Sequence, residues 1–255
     1  MRYLHYIACL SFAILLITAA MLAYADDLNA PIPAPVGRVV WVKGTLTAVM
    51  ENKEVRTLQK TSIIYQKDTL ITDGTSQAQV VFTDNTLMTF REGTKFFIDQ
   101  YAYNPQQKKG SVGKYIVNLI EGGFRTITGA IAKTNPPDYQ VNTPVATIGV
   151  RGTDYAVYIK NGEIFVGYYT GKPCVKGKGK SESQEICLDD QNPYAKVAGF
   201  GEMPILVPIG EQPEGFKVKL EITATKITPF SATSGEQLPY TPKNGGPITS
   251  FCITQ

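Results

Sequence analysis

The chain has 255 residues, of which 43% are hydrophobic and 18% charged, with 23 Gly, 16 Pro and a formal charge of +3. That composition describes one large globular domain or two small ones, and it excludes a collagen-like, coiled-coil or wholly disordered protein. The single histidine, His5, lies in a segment that reads as removable, so the mature chain lacks the imidazole that Ser or Cys triads and His-based zinc sites require.

Residues 1–25 read as a signal peptide. Arg2 precedes an apolar run from Tyr6 to about Leu22, and the small-x-small triplet Ala23-Tyr24-Ala25 stands before Asp26-Asp27. The expected cleavage is after Ala25, which places the mature protein in the periplasm or outside the cell. The alternative is an uncleaved anchor, because the run approaches the roughly 17 residues that span a bilayer. The acidic pair and the Pro-rich stretch that follow at once favour cleavage. Losing Arg2 brings the chain closer to neutrality, which speaks against a nucleic-acid binder.

Residues 26–35 form a Pro-rich spacer with the extended character of polyproline chain. Short β runs separated by turn residues follow. Gly37–Gly44 is a β-branched run that Leu46, Ala48 and Met50 continue, and Thr69–Thr72 stops at the turn pair Asp73-Gly74. Ala78–Thr83 and Thr86–Phe90 flank Asp84-Asn85; a two-residue turn there sets Phe82 opposite Leu87 and Val81 opposite Met88. Both faces of that hairpin are apolar, so it belongs inside a sandwich or stacked layers.

Tyr115–Ile120 ends at Glu121-Gly122-Gly123, and Tyr139–Thr143 ends at Pro144. The strongest local signal is Tyr155–Ile159, Lys160-Asn161-Gly162-Glu163, then Ile164–Tyr168. Asn-Gly suits a type I′ turn, and the resulting register pairs Lys160 with Glu163, Ile159 with Ile164 and Tyr158 with Phe165. Residues 171–200 read as a Lys/Gly-rich loop region, and 201–255 as a Pro-rich extension in which Phe216–Thr225 is the one further strand. The fold class is therefore all-β: an antiparallel sandwich or stacked β-layers of short strands and hairpins, with a Pro-rich C-terminal extension.

Cys9 leaves with the signal. Cys174 and Cys187 suit a disulfide in an exported chain, closing a loop at a gain of about 3 kcal/mol. Cys252 is left as a free thiol, an interchain partner, or a competitor for either of those two.

The segment Asn142-Thr143-Pro144-Val145-Ala146-Thr147-Ile148-Gly149-Val150-Arg151-Gly152-Thr153-Asp154-Tyr155 resembles the signature of the FecR domain family, a TP-x-A stretch leading to V-R-G-T-x-F/Y. Gly37-Arg38-Val39 through Gly44, Asp68–Gly74 with Ser76 and Ala78, Phe82–Thr86 and Glu121–Arg125 match in the family's order. The resemblance covers about Val36 to Tyr169, and residues 36–170 are taken as a FecR-like β-domain. It implies either an inner-membrane relay to a sigma factor or an exported stand-alone domain. Little chain precedes the apolar segment, so the cytoplasmic anti-sigma region is expected to be missing. The turn is Asp-Asn where the family favours Asp-Gly, a substitution that positive φ tolerates.

The family motif names Thr143, Pro144, Gly149, Val150, Arg151, Gly152 and Thr153. The flanking glycines favour a structural Arg151 whose guanidinium caps carbonyls of neighbouring turns; the other reading is an anion or carboxylate clamp. Lys172, Lys176, Lys178 and Lys180 read as a solvated, flexible loop, and as the place where any association with anionic envelope material occurs. Asp189-Asp190-Gln191-Asn192 offers oxygens that would suit Ca²⁺, but a plain loop is the simpler reading. Trp41 and the tyrosines are assigned to core and cross-strand positions over sugar stacking.

No metal site, no cofactor and no catalytic residue is indicated. The expected function is a non-enzymatic, exported binding module whose partner is an envelope protein or an anionic glycan, with no nucleic acid, and with membrane contact only if the N-terminal segment stays uncleaved. The alternatives are a membrane-anchored FecR-type signalling component and, last, a carboxylate-based glycan hydrolase for which no acid pair stands out.

Overall fold

Strand-forming stretches rich in Val, Ile, Tyr, Phe and Thr alternate with turn residues along almost the whole described chain, and they pair into a single sheet. The computed structural model describes residues 35–104, 113–134, 136–181, 184–217 and 220. The segment expected to be a signal peptide, nearly all of the expected spacer, Cys252 and the chain after Leu220 lie outside these residues.

The first half of the chain contributes β1 (Pro35–Lys43), β2 (Leu46–Val49), β3 (Val55–Leu58), β4 (Ile63–Tyr65), β5 (Thr69–Thr72), β6 (Gln77–Phe82), β7 (Leu87–Phe90) and β8 (Lys95–Tyr103). Then come β9 (Gly113–Glu121), β10 (Gly123–Ile127), the short helix α1 (Ala130–Thr134), β11 (Tyr139–Asn142), β12 (Ala146–Lys160) and β13 (Glu163–Gly177). The last elements are β14 (Glu185–Cys187), β15 (Tyr194–Val197), β16 (Ile205–Val207) and the helix α2 (Glu214–Lys217).

The strand order is β3-β2-β5-β8-β9-β11-β12-β10-β7-β6-β1-β4, with β13 on the other edge of β12 and β14, β15 and β16 beyond it. Pairing is antiparallel except between β9 and β11, which run parallel, so the sheet is mixed where the sequence suggested purely antiparallel layers. The all-β class holds.

The long strand β12 joins the two halves of that order. Its first part pairs with β11, from Gln140 opposite Gly149 to Asn142 opposite Thr147. Its second part pairs with β10, from Gly123 opposite Tyr158 to Ile127 opposite Asp154. The aromatic rings of both halves meet in one core: Phe82 lies 5.1 Å from Tyr115, Phe90 5.0 Å from Phe96, Phe96 5.8 Å from Phe124, and Tyr115 stacks on Tyr139 at 4.5 Å. Tyr139 and Tyr155 bring their hydroxyls to 3.3 Å within this core. Such ring pairs contribute about 0.5–1.5 kcal/mol each beyond the area they bury.

The hairpin at Asn161-Gly162 has the expected register, with Lys160 opposite Glu163, Ile159 opposite Ile164 and Tyr158 opposite Phe165. Both turn residues have positive φ, 54° and 80°, as a type I′ turn requires. The hairpin at Asp84-Asn85 differs by one residue from expectation: Val81 faces Leu87 and Val80 faces Met88. Its loop is longer than two residues because Phe82 N donates to Thr86 O at 2.8 Å, Asn85 takes the left-handed conformation at φ 67°, and the Asp84 side chain turns inward. Both faces of this hairpin are buried, as expected.

Two further expectations are corrected. Residues 172–177 are not loop: β13 continues through them, pairing with β12 as far as Ala146 opposite Gly177. The segment expected as a strand from Phe216 begins as the helix α2, because its packing is made by one ring seated on the sheet and not by a ladder.

Candidate functional site

The TP-x-A segment is the turn between β11 and β12. Thr143 closes it in three ways: its N–H and its hydroxyl both donate to Ala146 O, at 2.9 and 2.7 Å, and its Oγ1 accepts from Ala146 N at 3.0 Å. Pro144 follows with the fixed φ such a turn needs. Lys178 locks the turn from outside, its Nζ donating to Thr143 O at 2.7 Å and its N–H to Val145 O at 3.0 Å. Partial burial pulls this ammonium below its ordinary pKa. Lys178 is therefore a structural clamp and not a solvated loop lysine.

The V-R-G-T residues form the bend of β12. The register with β13 shifts between Arg151 and Asp154, and Gly152 adopts φ 58° opposite Gly171 at φ 85°. A Cβ on Gly171 would stand 2.5 Å from Gly152 O, so the two strands approach too closely there for any side chain. Val150 points into the core. Thr153 pairs back to the end of β10, its N–H donating to Thr128 Oγ1 at 2.8 Å and its carbonyl accepting from Thr128 N at 2.9 Å.

Arg151 departs from the structural role expected of it. It is exposed, and among the described residues no carbonyl or carboxylate takes up its guanidinium. A carbonyl-capping arginine that joins distant segments is Arg125, in the Glu121–Arg125 stretch. Arg125 Nε and Nη2 donate to the two oxygens of Asp154 at 2.9 and 2.7 Å, and Nη1 donates to Leu220 O at 2.9 Å. Its guanidinium lies 4.5 Å from the Tyr169 ring centroid. The two residues stand 29 positions apart, so no local pattern in the sequence pairs them.

Arg151 instead joins a cationic strip. Lys172 is its direct partner across the β12–β13 ladder, and Lys176 faces Thr147 on the same side. Lys133 of α1 approaches from below, its Cγ 3.6 Å from the position a Cβ on Gly152 would take. Arg151, Lys172 and Lys133 are all exposed, and none has a carboxylate at ion-pair distance among the described residues. Glu185 is opposite Lys176 on β14 and offsets that end of the strip. Lys180 lies beyond it in a short 3₁₀ turn, Gly179–Ser181. Gly149 adds open backbone between Thr147 and Arg151, since a Cβ there would meet nothing within 4 Å.

Cys174 and Cys187 face each other across β13 and β14 and form a disulfide. Glu185 places a carboxylate within 4.8 Å of both sulfurs, but sulfurs bonded to each other leave no thiolate to hold a cation. Asp189 spends an oxygen on Gln191 N and Asn192 N, at 3.0 and 2.8 Å, which makes 189–192 a side-chain-closed turn. Trp41 is half-buried on β1 opposite Gln79, a cross-strand position.

Residues 68–172 match the family model for FecR protein. That segment of the chain is FecR-like. The match runs from the start of β5 through the bend of β13, and β1 to β4 lie before it while hydrogen-bonding into the same sheet. An uncharacterized protein of Treponema pallidum (strain Nichols) is 32% identical over 130 residues, which is 51% of this chain and 17% of that relative's length. Two crystal structures of a candidate anti-sigma factor from Parabacteroides distasonis ATCC 8503 are similar at 19% identity, with TM-scores of 0.42 and 0.41. Each comparison covers 55% of this chain and 59% of the other. Within the FecR-like segment, the TP-x-A and V-R-G-T residues thus have separate tasks: Thr143, Pro144, Gly152 and Thr153 shape the turn and the bend, and Arg151 is presented outward.

Proposed function

We propose that the chain is an exported, non-enzymatic binding module of the bacterial cell envelope whose FecR-like domain grips an anionic partner along Arg151, Lys172 and Lys176. The observation that carries this reading is the direct pairing of Arg151 with Lys172. Like charges placed opposite each other on one face of a ladder destabilise it, and the sequence retains this pair in the open with no described acid beside it. An anion bridging the two relieves the repulsion, and the guanidinium fork suits the paired oxygens of a carboxylate or sulfate.

An anionic glycan fits best among envelope partners. Next to the cations runs a polar row in which Gln140 Nε2 and Thr147 Oγ1 both donate to Asn142 Oδ1 at 3.1 Å, and such groups suit the hydroxyls of a sugar chain. The Ala23-Tyr24-Ala25 triplet and the Cys174–Cys187 disulfide support an oxidising, extracytoplasmic location. Among the described residues no helix is long and apolar enough to cross a membrane.

Retention on a dextran sulfate matrix tests this reading. Exposed cations act over a Debye length of about 8 Å at physiological salt, so the wild-type chain is expected to bind and to elute as salt rises. Arg151→Gln with Lys172→Gln and Lys176→Gln should pass through unretained with a melt no lower than that of the wild-type chain. Retention of that triple variant would overturn the proposal.

A further inference from the structure

Gly149 stands where a strand gains nothing from a glycine. It lies inside β12, opposite Gln140 of β11 on one side and Cys174 of β13 on the other. A glycine in mid-strand weakens the strand, and it is retained where a side chain would collide or where φ turns positive. A Cβ on Gly37, Gly123 or Gly167 would stand 2.4, 2.5 or 2.7 Å from a neighbouring atom. Gly152 and Gly171 have φ of 58° and 85°. Neither reason applies to Gly149: its φ is not positive, and a Cβ there would meet nothing within 4 Å.

The space left by the missing side chain is framed on the outward face of the sheet. Across it stand the half-buried Gln140 and the half-buried Cys174, bridged to Cys187. The walls are two inter-strand spacings apart, or about 9–10 Å. Along the strand, Arg151 with Lys172 closes one end and Thr147 with Lys176 the other, about 13 Å apart over four residues. The result is a seat with bare backbone as its floor, a sulfur bridge and an amide as its walls, and cations at both ends. A flexible polyanion can use only the cations. A pyranose ring that carries a carboxylate or sulfate matches all of it: a C–H face for the floor and the sulfurs, hydroxyls for Gln140 and Thr147, and the acid for the Arg151–Lys172 end.

We propose that Gly149 is the seat of one acidic sugar ring, and that this seat, more than the charge around it, makes the cationic strip selective for glycans over other polyanions. The inference rests on the reading of the strip as an anion site and adds to it a residue that sets specificity. A side chain at position 149 would occupy the place of the ring, so the glycine is kept at a cost to the strand and to the benefit of the ligand.

Calorimetric titration of the full chain with two probes tests the seat: a sulfated maltohexaose, and a polyacrylate of matched charge that has no rings. The wild-type chain should bind both and prefer the sugar by about 10-fold. Gly149→Val should lose that preference, with sugar binding weakened by about 10-fold and polyacrylate binding within about 3-fold of wild type. The same variant should melt about 2–4 °C higher, since valine suits a strand and nothing stands in its way. Gly149→Ala should fall between the two chains in both respects. Sugar binding that survives Gly149→Val, or a wild-type chain that binds the two probes equally, would overturn the seat and leave the strip standing. A wild-type chain that binds neither probe would remove strip and seat together. Melts below wild type for both variants would give Gly149 a structural reason and overturn the proposal as well.

Discussion

Arg125→Ala is expected to cost the fold about 3–5 kcal/mol, the range for breaking a buried ion pair by removing one partner. Arg125 is 7% exposed, and its loss strands the Asp154 carboxylate and the Leu220 carbonyl together. In a domain of this size the melting temperature should fall by on the order of 10 °C. Asp154→Ala on top of Arg125→Ala should add little, because the two residues act as one unit. Arg151→Ala should shift stability by no more than about 0.5 kcal/mol, as a surface change without partners does. Thermal melts of the three variants check the contrast; a large loss from Arg151→Ala with a small one from Arg125→Ala would reverse the assignment of the two arginines.

Asp84→Ala should be nearly as damaging. Asp84 has no exposed surface, and its carboxylate accepts from Thr86 N and Thr86 Oγ1 at 2.9 Å and from Ile131 N at 3.3 Å. Tyr101 Oη accepts from Asp84 N at 2.9 Å and ties the turn to β8. Removing the carboxylate leaves two buried N–H groups without acceptors at about 1–3 kcal/mol each, so a loss of at least about 2 kcal/mol is expected in chemical denaturation. Burial pushes the Asp84 carboxyl above its ordinary value of 3.8. The folded chain then holds that proton more tightly than the unfolded one, so this group favours the fold most below pH 3.8 and loses that contribution as pH rises through its folded-state value. Asp84→Asn should remove this part of the pH dependence while keeping an acceptor for the turn.

Where several local signals coincide, the sequence was legible to the residue. The Asn161-Gly162 hairpin has a turn pair, a charge pair, an aliphatic pair and an aromatic pair that agree on one register. The Asp84 hairpin was legible as an element but not in register, because a carboxylate folded inward lengthens the loop and nothing local announces that it is buried. Residues 172–177 read as loop through their Lys and Gly content. Yet Pro173, Val175 and Gly177 are buried and alternate with Lys172, Cys174 and Lys176, which is a strand's period of two under a loop's composition.

The arginines show a different limit. The glycines beside Arg151 suggested tight packing around its side chain, but Gly152 serves the bend of the backbone, Gly149 leaves open space, and the guanidinium stays outside. Arg125 is buried partly by a segment 95 residues later in the chain, a contact no local pattern contains. The cationic strip likewise needs the β12–β13 register to bring Arg151 and Lys172 together, since 20 intervening residues separate a family motif from what looked like an unrelated lysine cluster.

The most direct test of the strip is ¹H–¹⁵N chemical-shift mapping of the full chain titrated with a sulfated oligosaccharide. The expected perturbations cluster at Thr147–Gly152 and Lys172–Lys176, weaken with salt, and vanish in the chain carrying Arg151→Gln and Lys172→Gln. Perturbations that leave those residues unmoved, or that persist in the double variant, would contradict the assignment of anion binding to this face.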